Sequence, residues 1–217
     1  MNVASVPQPA RLTAALIQQA VTELSATDDD LAAIVQRHGL PPIWGRPAGF
    51  ATIARIILEQ QVSLKAAATI YERLRRQVGL VTAARLATCE VADLRAAGIT
   101  RQKSSYIIGI AQAIVAGEIR LQDLAHLSDV EVRQRLTALR GIGAWTSDVY
   151  LLMVLRRPDV WPVGDLALAI SAQRVKRMRS RPNDARLSRL ARSWRPWRSV
   201  AARLLWQDYL AIQQKRT

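Results

Sequence analysis

The chain has 217 residues, half of them hydrophobic, and a formal net charge of +14. This length is enough to bury a sizeable core. The apolar runs are too short to span a bilayer, and residues 1–19 lack the basic start and cleavage site of a signal peptide. The single cysteine, Cys89, excludes an internal disulfide and a four-cysteine cluster. We therefore expect a cytoplasmic protein with no membrane partner and no iron–sulfur cluster.

The positive charge is concentrated in the last quarter of the chain. Residues 166–217 contain 13 Lys and Arg against two aspartates, Asp184 and Asp208. Such an excess favours a polyanionic partner. A solvated helical surface in an arginine-rich proteome is the alternative, because only 4 of the 31 basic residues are lysines.

Apolar spacing and capping residues predict helices along the whole chain, and no segment alternates like a strand. The predicted helices are 12–24, 30–37, 50–60, 64–78, 82–87, 91–97 and 101–116, followed by two helices around a central turn, one from 165 to about 178 and two more ending near 213. We predict an all-α fold.

The central turn, 139–143, has the sequence Leu-Arg-Gly-Ile-Gly. Ser128 and Glu131 form an S-x-x-E capping box, which begins a helix near residue 129. Four apolar residues are spaced to share one face of that helix: Val130, Val132, Leu136 and Leu139. Gly141 and Gly143 allow a tight turn and close backbone approach. The N–H groups that begin the next helix can then bind a phosphate. An ordinary glycine C-cap between two helices is the alternative.

A carboxylate follows the second of these helices. Asp165 stands in Gly-Asp-Leu-Ala-Leu after a Pro- and Gly-containing loop, so it is a good N-cap for the next helix. A carboxylate at a helix N-terminus is favoured in its ionised form.

Four ordered segments carry a resemblance to a known family. They are 57–67 (ILEQQVSLKAA), 98–111 (GITRQKSSYIIGIA), 139–169 with the turn and Asp165, and 194–206 (WRPWRSVAARLLW). Together they resemble the helix-hairpin-helix DNA glycosylases of the HhH-GPD superfamily, and within it the bacterial 3-methyladenine DNA glycosylase II group. Arg140 replaces the proline usual in the hairpin of that family.

The resemblance implies two helical subdomains with an intervening cleft. Residues 44–164 would form a helical barrel that contains the helix-hairpin-helix at about 129–155. Residues 1–43 would pack with the basic lobe 165–217, which begins with the catalytic aspartate. The partner would be double-stranded DNA with damaged bases, acted on by a monomer in the cytoplasm of a bacterium, at the nucleoid.

The implied activity is release of alkylated bases, such as N3- and N7-alkylpurines, by a monofunctional glycosylase of base excision repair. Asp165 would be catalytic. Glycosylases flip the target base out of the helix, and a flipped base would be bound by indoles matched at Trp145 and Trp206, with Trp161 and Tyr150 as weaker candidates. A core position is the ordinary fate of such rings.

Other residues matched to the family would contact DNA or an ion. Gln61 matches the wedge that fills the gap in the base stack, and the backbone N–H groups of Gly141, Gly143 and Trp145 would bind phosphate. Lys103 is a further predicted phosphate contact.

The resemblance also implies how the hairpin binds ions and which product the reaction leaves. The hairpin carbonyls of Thr137, Leu139 and Ile142 would hold a monovalent cation, Na⁺ or K⁺, and no other cofactor is expected. Bifunctional relatives use a lysine two residues after the second hairpin glycine; here that position holds Trp145, so water should be the nucleophile.

Two other functions are compatible with the sequence. One is a helix-hairpin-helix protein that binds DNA without catalysis, which Asp165 in its matched context disfavours. The other is a superfamily glycosylase for mismatched or oxidised bases. The absence of cluster cysteines disfavours the iron–sulfur branches of that group.

Overall fold

The computed structural model describes residues 10–215, which form helices and no strands, and the predicted all-α fold is confirmed. The α-helices are α1 (Ala14–Thr27), α2 (Asp29–His38), α3 (Phe50–Glu59), α4 (Leu64–Val78), α5 (Ala83–Leu86), α6 (Val91–Ala96), α7 (Arg101–Val115), α8 (Asp129–Thr137), α9 (Ala144–Met153), α10 (Leu166–Val175), α11 (Asp184–Leu190) and α12 (Arg198–Lys215). Two 3₁₀ helices, Asp123–His126 and Ala191–Trp194, were not predicted. Residues 1–9, which open the predicted segment 1–43 and the stretch compared with a signal peptide, lie outside the described residues, as do 216 and 217.

Side-chain caps explain where most of these helices begin. Eight helices have an N-cap side chain that accepts a hydrogen bond from the backbone N–H three residues later: Thr13, Asp28, Ser63, Thr82, Thr100, Ser128, Asp165 and Asn183. Each such cap stabilises its helix by about 1 kcal/mol. Local sequence therefore fixes the starts of the helices that carry the candidate site.

The chain divides into two compact units. The hairpin unit comprises residues 46–150, and the terminal unit comprises residues 10–45 and 151–215 among those described. The predicted boundary at 164 differs, because residues 151–164 group with the terminal unit. Val160 and Trp161 are buried, and Ser199 donates its backbone N–H to the carbonyl of Pro158 at 3.0 Å.

In the hairpin unit, α3 is the central buried helix. Seven of its ten residues are buried, and it packs against α4 and α7, while α7 also packs against α5 and α6. The terminal unit is built around α12, which packs against α1, α2 and α10. No helix within residues 10–215 is both long and apolar enough to cross a membrane.

A buried arginine joins three parts of the terminal unit. Arg203 on α12 is fully buried and donates hydrogen bonds to the carbonyls of Ile43 at 3.0 Å, Leu152 at 2.7 Å and Ser199 at 3.1 Å. Burial lowers the pKa of its guanidinium to about 10, and Arg156 adds to the shift. These bonds connect α12 to the segment before α3 and to the end of α9.

Candidate functional site

The central turn lies in the hairpin unit and has the geometry of a type II β-turn. Ile142 donates its backbone N–H to the carbonyl of Leu139 at 3.1 Å, and Gly141, the third residue, has φ +97°. A side chain at Gly141 would also meet the ring of Tyr106, whose Cγ lies 2.3 Å from the ideal Cβ position. Both the backbone angle and the contact therefore require glycine here.

Arg140 occupies the second position of this turn, where proline is common. The turn closes with arginine in that place, and the Arg140 guanidinium lies 5.9 Å from the centroid of the Tyr106 ring. A cation over an aromatic ring is attracted to it. The Tyr106 ring thus lies close to the turn at both Gly141 and Arg140.

Gly143 begins α9 as its N-cap residue. Its carbonyl accepts the first helical hydrogen bond, from the N–H of Ser147 at 3.0 Å. An added Cβ at Gly143 would meet no atom within 4 Å, and its φ lies outside the left-handed region. The protein itself does not require glycine at this position. Open space before a helix N-terminus is what a bound phosphate would need.

An ion pair joins the two helices of the hairpin. Arg133 on α8 donates Nε–H to Asp148 Oδ1 on α9 at 2.7 Å, and Asp148 is 4% exposed. Val132 and Leu136 are buried as predicted. Val130 is 61% exposed, so its assignment to the apolar face is wrong.

Three hairpin carbonyls, those of Thr137, Leu139 and Ile142, were predicted to hold a monovalent cation. The Leu139 carbonyl already accepts the N–H of Ile142 and has a second lone pair. Among the described residues, no group of three or more His, Cys, Asp or Glu is placed to hold a metal ion. Carbonyl oxygens of a turn remain chemically suited to Na⁺ or K⁺.

The predicted wedge lies in a short loop between α3 and α4, residues 60–63. Gln61 is exposed and has φ +57°, an angle that residues other than glycine adopt infrequently. Val62 is 41% exposed beside it. The loop therefore presents Gln61 and an apolar neighbour at the surface of the hairpin unit.

Lys103 is half-buried and binds backbone carbonyls through its ammonium group. Its Nζ donates to the carbonyls of Leu58 at 2.9 Å and Gln60 at 2.7 Å. Burial lowers its pKa. Two of its three N–H groups bind the end of α3 and the wedge loop, so the phosphate contact, which stays a prediction, would use the third.

Gln60 is a site residue that the sequence did not single out. Its side-chain Nε2 donates to the Gly141 carbonyl at 3.0 Å and to Thr146 Oγ1 at 2.9 Å. These partners lie 81 and 86 residues away in sequence, so no local pattern announces them. Both bonds join the wedge loop directly to the hairpin.

Asp165 lies in the terminal unit as the N-cap of α10. Its Oδ1 accepts the N–H of Leu168 at 2.9 Å and the indole N–H of Trp206 at 3.2 Å, and the residue is 8% exposed. The helix N-terminus and two converging donors all place positive partial charge beside this carboxylate. A nearly buried, oriented carboxylate can stabilise positive charge that develops beside it.

Of the four aromatic residues predicted to line a base pocket, Trp145 is half-buried in the hairpin unit, and Trp206 is placed against Asp165 by the hydrogen bond just described. The other two are packed as core residues, and their assignment to a base pocket stays a prediction. Trp161 is 5% exposed, with its ring centroid 5.4 Å from that of Trp194. Tyr150 is 1% exposed, and its hydroxyl has no hydrogen-bond partner within residues 10–215. Burial raises the pKa of Tyr150 to about 12.

Known proteins are similar to this chain in sequence and in structure. A DNA-3-methyladenine glycosylase of Bacillus subtilis (strain 168) is 32% identical over 124 residues, which cover 57% of this chain and 40% of that protein. The chain thus spans less than half of that relative. A DNA-3-methyladenine glycosidase from Bacillus halodurans superposes with TM-score 0.74 at 28% identity, covering 90% of this chain and 91% of that one.

The structure of a Schizosaccharomyces pombe 3-methyladenine DNA glycosylase in complex with abasic DNA gives TM-score 0.81 at 26% identity, covering 87% of this chain and 95% of that one. The family model described as HhH-GPD superfamily base excision DNA repair protein matches residues 54–196. That match includes the wedge loop, the hairpin and Asp165. The chain therefore belongs to the HhH-GPD superfamily of base excision DNA repair proteins.

Proposed function

We propose that this protein is a monofunctional DNA glycosylase that releases alkylated bases, chiefly N3- and N7-alkylpurines, and leaves an abasic site. The observation that carries the proposal is the carboxylate of Asp165, which Leu168 and Trp206 hold at the N-terminus of α10. The chain also belongs to a family of base excision repair proteins. The names of the similar proteins support the same substrate class.

The chemistry follows from the charge on that carboxylate. When the bond between C1′ and the base nitrogen breaks, the base departs with the electron pair and positive charge develops on the sugar. An ionised Asp165 beside C1′ would stabilise this charge and accept the proton of the attacking water as its oxygen bonds to C1′. An alkylated purine already carries positive charge, so it leaves as a neutral base.

Base selection would come from tryptophan faces. An electron-rich indole stacks favourably on an electron-poor cationic ring, which is a cation–π preference. Trp145 is half-buried just after the hairpin, and Trp206 donates to Asp165. We assign to these two indoles the binding of the extruded base.

Water is the proposed nucleophile because no lysine is matched to the lyase position. Trp145 stands two residues after Gly143, where the bifunctional relatives carry lysine. Lys103 is engaged by two carbonyls, and Lys176 pairs with Asp28 at 2.5 Å. The product would be an intact strand with an abasic site.

DNA is the proposed partner, bound by a monomer in the bacterial cytoplasm at the nucleoid. The hairpin N–H groups would bind a phosphate, and Gln61 would fill the gap left by the flipped base. In the terminal unit, three arginines, Arg181, Arg186 and Arg189, line one concavity of about 380 Å³ and add positive charge for phosphates. No cofactor is needed for hydrolysis, and a Na⁺ or K⁺ ion at the carbonyls of the hairpin would strengthen phosphate binding there.

The proposal is tested with duplexes that each contain one defined lesion: 3-methyladenine analogue, 7-methylguanine, 8-oxoguanine or a mismatch. We expect base release from the alkylated duplexes, an intact strand until alkali is added, and no covalent adduct with borohydride. Preferred release of oxidised or mismatched bases would replace the alkylated substrate class. DNA binding without release of any base would leave a non-catalytic binding protein, and efficient borohydride trapping would overturn the hydrolytic mechanism.

A further inference from the structure

Within the hairpin unit, three elements contact one another: the wedge loop contacts α7, α7 contacts the hairpin, and the hairpin contacts the wedge loop. Lys103 on α7 binds the carbonyls of Leu58 and Gln60. Tyr106, one helical turn further along α7, fills the space beneath Gly141. Gln60 completes the set by donating to Gly141 and Thr146. Removing any one contact leaves the wedge loop and the hairpin connected through fewer fixed points.

From these contacts we infer that Gln60 and Lys103 are positioning residues that hold the Gln61 wedge at a fixed place relative to the phosphate-binding hairpin. The inference rests on the proposed function, which assigns the wedge to Gln61 and the phosphate to the hairpin. It adds two residues that touch neither the base nor the reacting atoms.

The physical need for such residues lies in the conformation of the loop. Gln61 has φ +57°, and α3 ends two residues earlier, where its last carbonyls have no helical donors. An ammonium group between the carbonyls of Leu58 and Gln60 supplies donors and a cation at a helix C-terminus, where the dipole favours positive charge. Lys103 therefore stabilises the conformation that exposes Gln61.

Gln60 connects the same segment to the DNA-binding turn. One amide group donates both to the Gly141 carbonyl, in the central turn, and to the Thr146 hydroxyl, in the first turn of α9. A phosphate bound by the hairpin fixes one DNA strand, so a wedge tied to the hairpin enters the duplex at a set distance from that phosphate. Without Gln60, the hairpin could still bind DNA, but the wedge would no longer be held at a set distance from the bound phosphate.

The test uses Gln60→Met and Lys103→Met, which keep side-chain length and remove the donors. Matched controls are Gln18→Met and Lys65→Met, which change exposed residues outside the proposed site. Gln61→Ala serves as the reference for a lost wedge. Thermal unfolding confirms that each variant is folded, and Lys103→Arg, which keeps a donor, should restore part of the loss.

Single-turnover excision is measured on two duplexes that carry the same alkylated base, one fully paired and one with that base in a single-nucleotide bulge. A wedge out of position matters only where the base must be unstacked. We expect both variants and Gln61→Ala to lose about tenfold on the paired duplex, the cost of one or two lost buried hydrogen bonds, and threefold or less on the bulge. Equal losses on both duplexes would overturn the inference.

A second measurement works without catalysis, so it separates this inference from the proposed function. A duplex containing an abasic analogue opposite 2-aminopurine reports wedge insertion by fluorescence, and a binding titration reports affinity. We expect the two variants to bind within about threefold of wild type and to show a reduced fluorescence change like that of Gln61→Ala. A wild-type fluorescence change in both variants would refute the positioning role, whether or not the protein excises alkylated bases.

Discussion

The two hairpin glycines, Gly141 and Gly143, look equivalent in the sequence but have different surroundings in the structure. In Gly141→Ala the new methyl group would lie 2.3 Å from Tyr106 Cγ and 2.6 Å from its Cβ. These atoms are at the root of the side chain, so relief requires movement of α7. The backbone angle of +97° adds its own cost for an L-residue.

The magnitude can be built from these two terms. A left-handed φ costs about 1–2 kcal/mol for a residue with a Cβ, and overpacking typically costs about 1–3 kcal/mol. We expect Gly141→Ala to lower the free energy of unfolding by about 2–5 kcal/mol. At roughly 2–4 °C per kcal/mol, the melting temperature should fall by about 4–20 °C.

Gly143→Ala is the matched control. It meets open space and an ordinary backbone angle, and alanine is only a weaker N-cap than glycine, so the loss should be about 1 kcal/mol or less. Both variants should weaken DNA binding, but the loss of stability should be clearly larger in Gly141→Ala. Urea denaturation followed by circular dichroism measures the stability, and a fluorescence titration measures the DNA binding.

The contact with Tyr106 is tested by a double-mutant cycle. Combining Gly141→Ala with Tyr106→Ala removes the ring atoms that clash and leaves only the residue-106 Cβ at 2.6 Å, so part of the clash is relieved and the two losses should be non-additive by about 1–2 kcal/mol. Additive losses, or equal destabilisation by Gly141→Ala and Gly143→Ala, would refute the reasoning from the turn.

Three further predictions concern burial and charge. Burial raises the pKa of Tyr150 from 10 to about 12, so the unfolded state ionises first and the free energy of unfolding should fall between pH 10 and 12. Tyr150→Phe should abolish that fall and keep the melting temperature at neutral pH. A large loss of stability in this variant would contradict the unpaired hydroxyl. Arg203→Met should cost about 3–5 kcal/mol in urea denaturation, because three carbonyls lose their donor, while Arg189→Met at the surface should cost little; similar losses would count against the buried network. Replacing Arg181, Arg186 and Arg189 together with Gln should lower the slope of log Kd against log salt by up to about 3, and an unchanged slope would assign them to a solvated surface.

Features set by local sequence were predictable. The Ser128 capping box forms with Ser128 N–H donating to Glu131 Oε2 at 2.8 Å, and Asp165 caps α10 as its position before an apolar run indicates. A cap is formed by residues three positions apart, so the local sequence is enough to predict where such a helix begins. The wedge loop likewise lies where the predicted helices 50–60 and 64–78 meet.

Features set by tertiary contacts were not predictable. The Trp206 indole binds a carboxylate 41 residues away, and Gln60 binds a turn 81 residues away. The carbonyls that Lys103 binds were not predictable either, because its position in α7 gives no sign of them. The same reason explains why the observed unit boundary differs from the predicted one: residues 151–164 comprise the end of α9 and the loop after it, yet Trp161 is buried against Trp194 in the terminal unit. Periodicity identifies a buried face and does not identify its partner.

The most direct test of the central claim is base release by Asp165→Asn. Asparagine is as good an N-cap as aspartate, and its oxygen can still accept from Leu168 and Trp206, so fold and DNA binding should be preserved while the negative charge is removed. Single-turnover release of an alkylated purine from duplex DNA should fall at least about hundredfold, with an unchanged melting temperature and an unchanged Kd for abasic DNA. Release at the wild-type rate by a folded Asp165→Asn protein would contradict the account.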